Sequence, residues 1–414
     1  MSEPQTIYRR RDFSFFAIAR FLATVAMQVQ SVAIGWQIYD MERTPLALGL
    51  VGLCQFAPMF LLTLPAGEMS DRFDQRRVLS LAFVVLSLCG ALFLALDAFH
   101  VRNAIAYYAV LVLFGAGRGF SAPAGQSLLA FLVPPERLAR AIALNSSVFL
   151  VAVIAGPALG GFLYAFGPQA TYSLCFAGFL AASALVAILG GRRASHNAGA
   201  MSRYERVKEG VRFVRRRPVI LGAISLDLFA VLLGGATALL PVFARDILHV
   251  GPEGLGLLRS APAAGAALVA LGLARRPVER GIGVKMFSAV AIFGLATIVF
   301  GLSRNFYLSL AALFVLGASD MISVFVRQSL ITFATPDEMR GRVGAVNMLF
   351  IGASNELGEF ESGITAALFG TIPAVIIGGL GTLGVVAIWM KLFPPLRTVD
   401  RLGEVQVEPP RATA

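Results

Sequence analysis

The sequence predicts an all-α polytopic membrane protein with twelve transmembrane helices in two pseudo-symmetric six-helix bundles, and three observations predict it. The chain has 414 residues, of which 57% are hydrophobic and only 14% charged, whereas a soluble chain carries about 25% charged residues. The charges are also missing in blocks. Residues 141–191 contain no Asp, Glu, Lys, Arg or His, and residues 44–67 and 78–96 are equally bare; a bilayer-spanning helix needs about 20 apolar residues. Finally, the second half repeats the first. Gln126–Asn145 reads QSLLAFLVPPERLARAIALN and Gln328–Asn347 reads QSLITFATPDEMRGRVGAVN, identical at nine of twenty positions with an offset of 202.

The elements follow in order. Span one, 12–39, comes after Arg9, Arg10 and Arg11 and stays apolar through Ile38, too long for a cleaved leader. Spans two (46–66) and three (78–97) are charge-free blocks on either side of a basic turn. Span four, 104–133, contains Arg118, and spans five (141–165) and six (168–190) share the longest bare stretch, joined by Phe166-Gly167-Pro168-Gln169. A basic linker, 192–217, then separates the halves. Within it Tyr204, Val207, Val211 and Val214 fall at helical spacing opposite Arg206, Lys208, Arg212 and Arg215. This is an amphipathic helix, lying on the inner leaflet or serving as a solvated linker. Spans seven to twelve follow at 218–243, 253–273, 285–303, 306–334, 343–369 and 371–393. The expected organisation is a six-helix bundle at 1–191, the linker at 192–217, a second bundle at 218–393 and a cytoplasmic tail at 394–414. Such duplicated halves place a substrate site near the midplane between the repeats.

The net charge of +11 does not require a polyanionic partner. With the N-terminus inside, the outer loops collect only Arg43, Arg102, Arg245 and Arg304. Arg20, Arg118, Arg259 and Arg327 fall within spans, and the other basic residues lie in or flank inner segments, as the positive-inside rule requires. Nucleic acid is therefore not an expected partner. Cys54, Cys89 and Cys175 are odd in number, far apart and within spans, which argues against a disulfide framework or a metal site. A nucleotide-binding P-loop needs Gly-Lys followed by Ser or Thr. The three lysines, Lys208, Lys285 and Lys391, follow Val, Val and Met. Any active transport must therefore run on an ion gradient or a partner subunit, and no cofactor is expected.

The turn after span two reads Gly67-Glu-Met-Ser-Asp71-Arg72-Phe-Asp74-Gln75-Arg76-Arg77, and span five contains Ala152 followed by Gly156-Pro157 and Gly160-Gly161. Together with Arg118 in span four, these segments resemble the major facilitator superfamily. The first matches its inner-loop signature except at Asp74 and Gln75, the second is similar to its exporter motif C, and Arg118 stands at the place of its motif B arginine. Segments around Gly35–Asp40, Asp227–Pro241 and Ser354–Gly363 look like the branch of enterobactin exporters and macrolide-efflux-like proteins. The resemblance implies two rocking six-helix halves with spans one, four, seven and ten lining the cavity. In bare physical terms the turn is either a topology-fixing basic loop or a conformational latch in which Asp71 pairs and releases. The glycines are close-packing positions, a bending face, or both.

Charges inside spans are the candidate working residues, because burying one costs at least about 2.5 kcal/mol. Arg20, Arg118, Asp320 and Arg327 are candidates for holding substrate or balancing charge; Asp320 and Arg327, seven residues apart in span ten, could instead form a structural ion pair. Asp227 in span seven and Glu356, Glu359 and Glu361 in span eleven are candidate proton carriers. Their alternative is tight pairing with arginines. His100, His196 and His249 fall in loops, which leaves proton traffic to carboxylates. The expected function is a proton-coupled exporter of an organic small molecule, such as a siderophore or macrolide-like drug, acting as a monomer in the bacterial inner membrane with both termini cytoplasmic. An importer of the same fold is the first alternative. A membrane enzyme or receptor is disfavoured, since no convergent nucleophile or metal constellation is present.

Overall fold

A computed structural model describes residues 10–190 and 203–405 of the chain. The helices are α1 (Arg10–Glu42), α2 (Pro45–Arg72), α3 (Gln75–Ala98), α4 (Ala104–Leu132), α5 (Pro135–Ala165) and α6 (Pro168–Ala187). They continue with α7 (Arg203–Arg215), α8 (Pro218–Leu233), the short α9 (Leu240–Val242), α10 (Pro252–Arg275) and α11 (Ile282–Leu302). Last come α12 (Phe306–Phe333), α13 (Asp337–Phe369), α14 (Thr371–Leu392) and the short α15 (Pro394–Thr398). Local chemistry sets several of the starts. Proline occupies the first turn of α2, α5, α6 and α8, where no helical partner for its missing N–H is needed. Asn103 and Asn305 cap α4 and α12 through their side chains.

Eleven of the described helical stretches are long and apolar enough to cross a membrane. The remaining long helix, α13, has 33 residues, and its apolar run is interrupted by Glu356, Glu359 and Glu361. The chain is an all-helical, multi-pass membrane protein.

The described residues form two compact units, the first from Met1–Ala200 with Ala244–Ser260, the second from Met201–Phe243 with Ala261–Ala414. In the first, α1 packs on α5 and α6, α2 on α4, and α3 on α4 and α6. Its core centres on Phe16, Phe83, Phe93, Tyr107, Tyr172 and Phe179, each almost fully buried. In the second, α11 packs on α12 and α14, and α8 on α13 and α14, around Leu226, Met286, Phe287, Val326 and Leu330. Glycines allow the closest approaches. A Cβ on Gly115 of α4 would strike the Gln55 carbonyl and Pro58 of α2, and one on Gly317 of α12 would strike the backbone of Pro262 in α10. Gly115 and Gly317 are related by the same 202-residue offset as the sequence repeat.

Three elements differ from the sequence reading. Span seven, read as one helix over 218–243, stops at Leu233 and continues as a 3₁₀ turn (Ala236–Leu239), α9 and a five-residue π-helical segment, Phe243–Ile247. Gly234 and Gly235 sit at the break, where the chain lacks side chains to fix the helical course. The amphipathic helix α7 turns its apolar face to protein rather than lipid. Val214 is buried, and Val207, Val211 and Phe213 pack with Ile220, Ile331, Val343 and Val346. Arg342 also ion-pairs with Glu209. The tail folds back on the second unit as far as it is described. Leu396 is fully buried, and the Asp400 side chain accepts the Gly281 amide at 2.8 Å beside the start of α11. Arg193 and His196 lie outside the described residues.

Candidate functional site

The most buried charges meet in the second unit. Asp227 of α8 and Arg327 of α12 form an ion pair, with the side chains only 6% and 3% exposed. These two residues are a hundred positions apart, and no local sequence signal joins them. The alternative of a structural pair between Arg327 and Asp320 is not what the structure shows. Seven residues along a helix separate two side chains by roughly 10 Å of rise, beyond ion-pair reach, so Arg327 is partnered across to α8 instead. Asp320 is half-buried and makes no hydrogen bond or ion pair with a described residue. The pair is also incompletely satisfied. Arg327 Nε and Ser323 Oγ, one helical turn apart, are buried without a hydrogen-bond partner among the described residues. A buried donor left this way is destabilising by about 1–3 kcal/mol.

The other predicted carboxylates are spread along α13. Glu361 accepts from the Thr365 hydroxyl at 2.7 Å, and Glu356 and Glu359 are half-buried and engaged by other groups.

In the first unit, Arg118 donates to Gln55 Oε1 at 3.2 Å and has further interactions. Arg20 of α1 lies against α4, where a Cβ on Gly125 would come 3.1 Å from its Nη1. It is half-buried and forms no hydrogen bond or ion pair among the described residues. The structure thus keeps Arg20 and Arg118 in one unit and Asp227, Asp320 and Arg327 in the other.

The motif residues occupy distinct places. Gly67 is buried near the end of α2, and Arg72 and Arg77 are exposed; the side chain of Asp71 lies outside the described ones. Asp74, which departs from the family signature, caps α3 by accepting from the Arg76 amide at 2.9 Å. Arg76 pairs with Asp74 at 3.6 Å and donates to the Leu189 carbonyl after α6 at 2.5 Å. An aspartate directly before a helix is the signal that would have revealed this cap. On α5, Gly156 and Gly160 abut Gln28 and Val29 of α1, while Gly161 meets Pro252 and Gly256 at the start of α10. Pro157 lends its carbonyl to the same contact, against Gly256.

Sequence reasoning missed a buried polar network near one end of the first unit. The Gln37 amide donates to Tyr107 at 3.0 Å and to Asp97 at 3.3 Å, and Gln37 accepts from Tyr172. A cavity of about 240 Å³ beside it is lined by Gln37, Asp40, Asp97, His100, Tyr107 and Tyr164. Among the described residues no group of three or more His, Cys, Asp or Glu is arranged to hold a metal ion.

A family profile described as transmembrane secretion effector matches residues 4–411. The chain belongs to this family of major facilitator transporters. The chain is similar to the enterobactin exporter EntS of Citrobacter koseri, 27% identical over 391 residues that cover 92% of this chain and 91% of that protein. The multidrug efflux pump Tap of Mycobacterium tuberculosis is 26% identical over 411 residues, covering 96% of each. Among solved structures, a bacterial homologue of the human lysosomal transporter Spinster superposes with a TM-score of 0.73 at 14% identity, covering 96% and 97% of the two chains. A bacterial homologue of the iron transporter ferroportin gives 0.68 at 16% identity, covering 94% and 99%. The family is thus a transporter family with the major facilitator fold, embedded in the membrane and built to bind small molecules. The resemblance first suggested by Gly67–Arg77 and Gly156–Gly161 holds over nearly the whole chain.

Proposed function

We propose that this transporter is a proton-coupled exporter of an organic small molecule, working by alternating access in the bacterial inner membrane with both termini cytoplasmic. The ion pair of Asp227 with Arg327 is the observation that carries the coupling. Two opposite charges inside a membrane bundle are stable only while both are present. A proton arriving on Asp227 removes one of them and leaves the Arg327 guanidinium seeking another anion. Arg327 already has an unsatisfied Nε beside the unpartnered Ser323 hydroxyl. Proton occupancy and side-chain arrangement are thereby linked, and Glu356, Glu359 and Glu361 on α13 are further stations for the proton.

The direction and the class of cargo rest on the relatives, which are named for export of enterobactin and for multidrug efflux. A siderophore or macrolide-like drug is the proposed cargo class. Arg20, a cation with no ion partner among the described residues, is the proposed contact for an acidic group of that cargo. Asp71 in the last turn of α2 is proposed as the inner latch, and residues 192–217 as a cytoplasmic basic linker that joins the two six-helix halves in sequence.

The test is proton flux in proteoliposomes loaded with a pH indicator. Adding a siderophore or macrolide on one side should dissipate an imposed pH gradient in a protein-dependent way, with cargo moving against the proton. Cargo movement that leaves the gradient untouched would remove proton coupling, and cargo and proton moving in the same direction would make the protein an importer.

A further inference from the structure

One cavity of the first unit takes no part in the transport reading. The C-terminal ends of α1, α3 and α5 and the N-terminal ends of α4 and α6 enclose about 240 Å³. Its two carboxylates are in different states. Asp40 is engaged by Arg43 at 3.4 Å and by Arg245. Asp97 is half-buried and has no cation partner among the described residues. From them its side chain accepts one hydrogen bond, Gln37 Nε2 to Oδ1 at 3.3 Å, where a carboxylate has room for about four. Gln37 is itself buried and pinned between the Tyr107 hydroxyl at 3.0 Å and the Tyr172 hydroxyl. Phe93 stacks on both of those rings, at 5.9 and 5.5 Å between centroids. Asp97 therefore stands beside a rigid support, and a ligand meeting it would not have to order the site. Tyr107 and Tyr164 supply aromatic lining, and the Tyr164 hydroxyl makes no hydrogen bond among the described residues.

We propose that this cavity is a binding site for a small organic cation, a quaternary or protonated amine, with Asp97 as its counter-ion and Tyr107 and Tyr164 as its aromatic walls. Charge sets the sign of the ligand. Asp97 is the most buried charge in the lining, whereas His100 and Arg102 are exposed and more strongly screened by water. Donor chemistry sets the kind of cation. A hard divalent ion takes about six or more oxygen ligands, and among the described residues no three His, Cys, Asp or Glu are arranged to hold a metal. A weakly hydrated ammonium needs one carboxylate and is further attracted by tyrosine faces. Size sets its bulk. The cavity of about 240 Å³ lies below the roughly 300–1,000 Å³ of sites for drug-sized ligands, which suits a trimethylammonium group on a short chain. Neither the coupling proton nor the direction of transport enters, so the site would bind its ligand even in a protein that moves no cargo.

The test is equilibrium binding of radiolabelled choline to the detergent-solubilised full chain, beside an uncharged isostere in which a tert-butyl group replaces the trimethylammonium. Choline should bind saturably, and the isostere at equal concentration should not displace it. Asp97→Asn should weaken binding roughly tenfold or more, the loss of one charged contact. Asp97→Glu, which keeps the charge, should stay within about threefold of wild type. Tyr164→Ala should weaken binding about two- to fivefold, while Tyr164→Phe keeps the ring face and should leave it nearly unchanged. Thermal unfolding of each variant separates a lost site from a lost fold; if Asp97→Asn does not fold, Tyr164→Ala against Tyr164→Phe carries the same decision. No saturable choline binding by the wild type would overturn the site, and so would wild-type affinity in Asp97→Asn. Displacement of choline by the isostere, or equal loss in Asp97→Asn and Asp97→Glu, would overturn it as well, since shape rather than charge would then decide.

Discussion

Two places related by the internal repeat solve the same packing problem and handle charge in opposite ways. Gly115 and Gly317 correspond at the 202-residue offset, and each lets its helix lie against the backbone of a neighbour. The same offset sets Arg118 against Asp320 and Gly125 against Arg327. In the first unit an arginine from α1, Arg20, reaches over Gly125 and finds no ion partner among the described residues. In the second unit the arginine is on α12 itself and is paired with Asp227 of α8. Duplication preserved the backbone contact, which any exchange of glycine would clash with, and left the charges free to diverge. On the function proposed above, the first unit's cation would serve the cargo and the second unit's closed pair the proton.

The largest effect should come from opening the closed pair. Arg327→Leu leaves Asp227 buried and alone, which should be destabilising by about 3–5 kcal/mol in thermal unfolding of the detergent-solubilised protein. The double variant Asp227→Leu with Arg327→Leu should recover wild-type stability or exceed it, yet transport nothing. A double variant as unstable as the single one would mean that the pair holds the fold rather than the function.

Next in size are the paired glycines. Gly115→Val and Gly317→Val should each be destabilising by about 1–3 kcal/mol through overpacking. Similar losses at the two sites would confirm that the repeat preserves packing, whereas a tolerated substitution at one of them would end the equivalence.

The open cation should behave differently from both. Arg20→Met removes a half-buried charge that has no ion partner among the described residues, so stability should hold or rise by up to about 2 kcal/mol while cargo transport falls. Loss of stability equal to that of Arg327→Leu would show that Arg20 is also a structural pair. The smallest effect concerns the turn between α2 and α3. Asp74→Ala should remove an N-cap and lower stability by about 1 kcal/mol. Asp71→Asn should leave stability unchanged and slow transport at equal membrane abundance; wild-type rates would remove the latch.

What was legible in the sequence follows from the range of each signal. The membrane helices were legible because a span is a local run of missing charge, as in residues 141–191, and the repeat because it survives as a direct match. The Asp227–Arg327 pair was not, because it joins residues a hundred apart whose helices meet only in the fold, and spacing along α12 pointed to Asp320 instead. The helical face of Val207, Val211 and Val214 was legible, but amphipathicity is the same whether lipid or protein covers it. The break in span seven coincides with Gly234-Gly235, which is no sufficient signal, since glycine is also frequent within intact membrane helices.

The central claim is that a proton on Asp227 drives the cycle, and the most direct measurement compares driven with passive movement in one variant. Asp227→Asn imitates a permanently protonated carboxyl of nearly the same shape. Reconstituted in proteoliposomes beside Asp320→Asn, Glu356→Gln, Glu359→Gln and Glu361→Gln, it should lose cargo accumulation driven by a pH gradient and keep downhill exchange of the same cargo. Full gradient-driven accumulation by Asp227→Asn would contradict the claim, and loss confined to one of the other four would move the coupling proton to that residue.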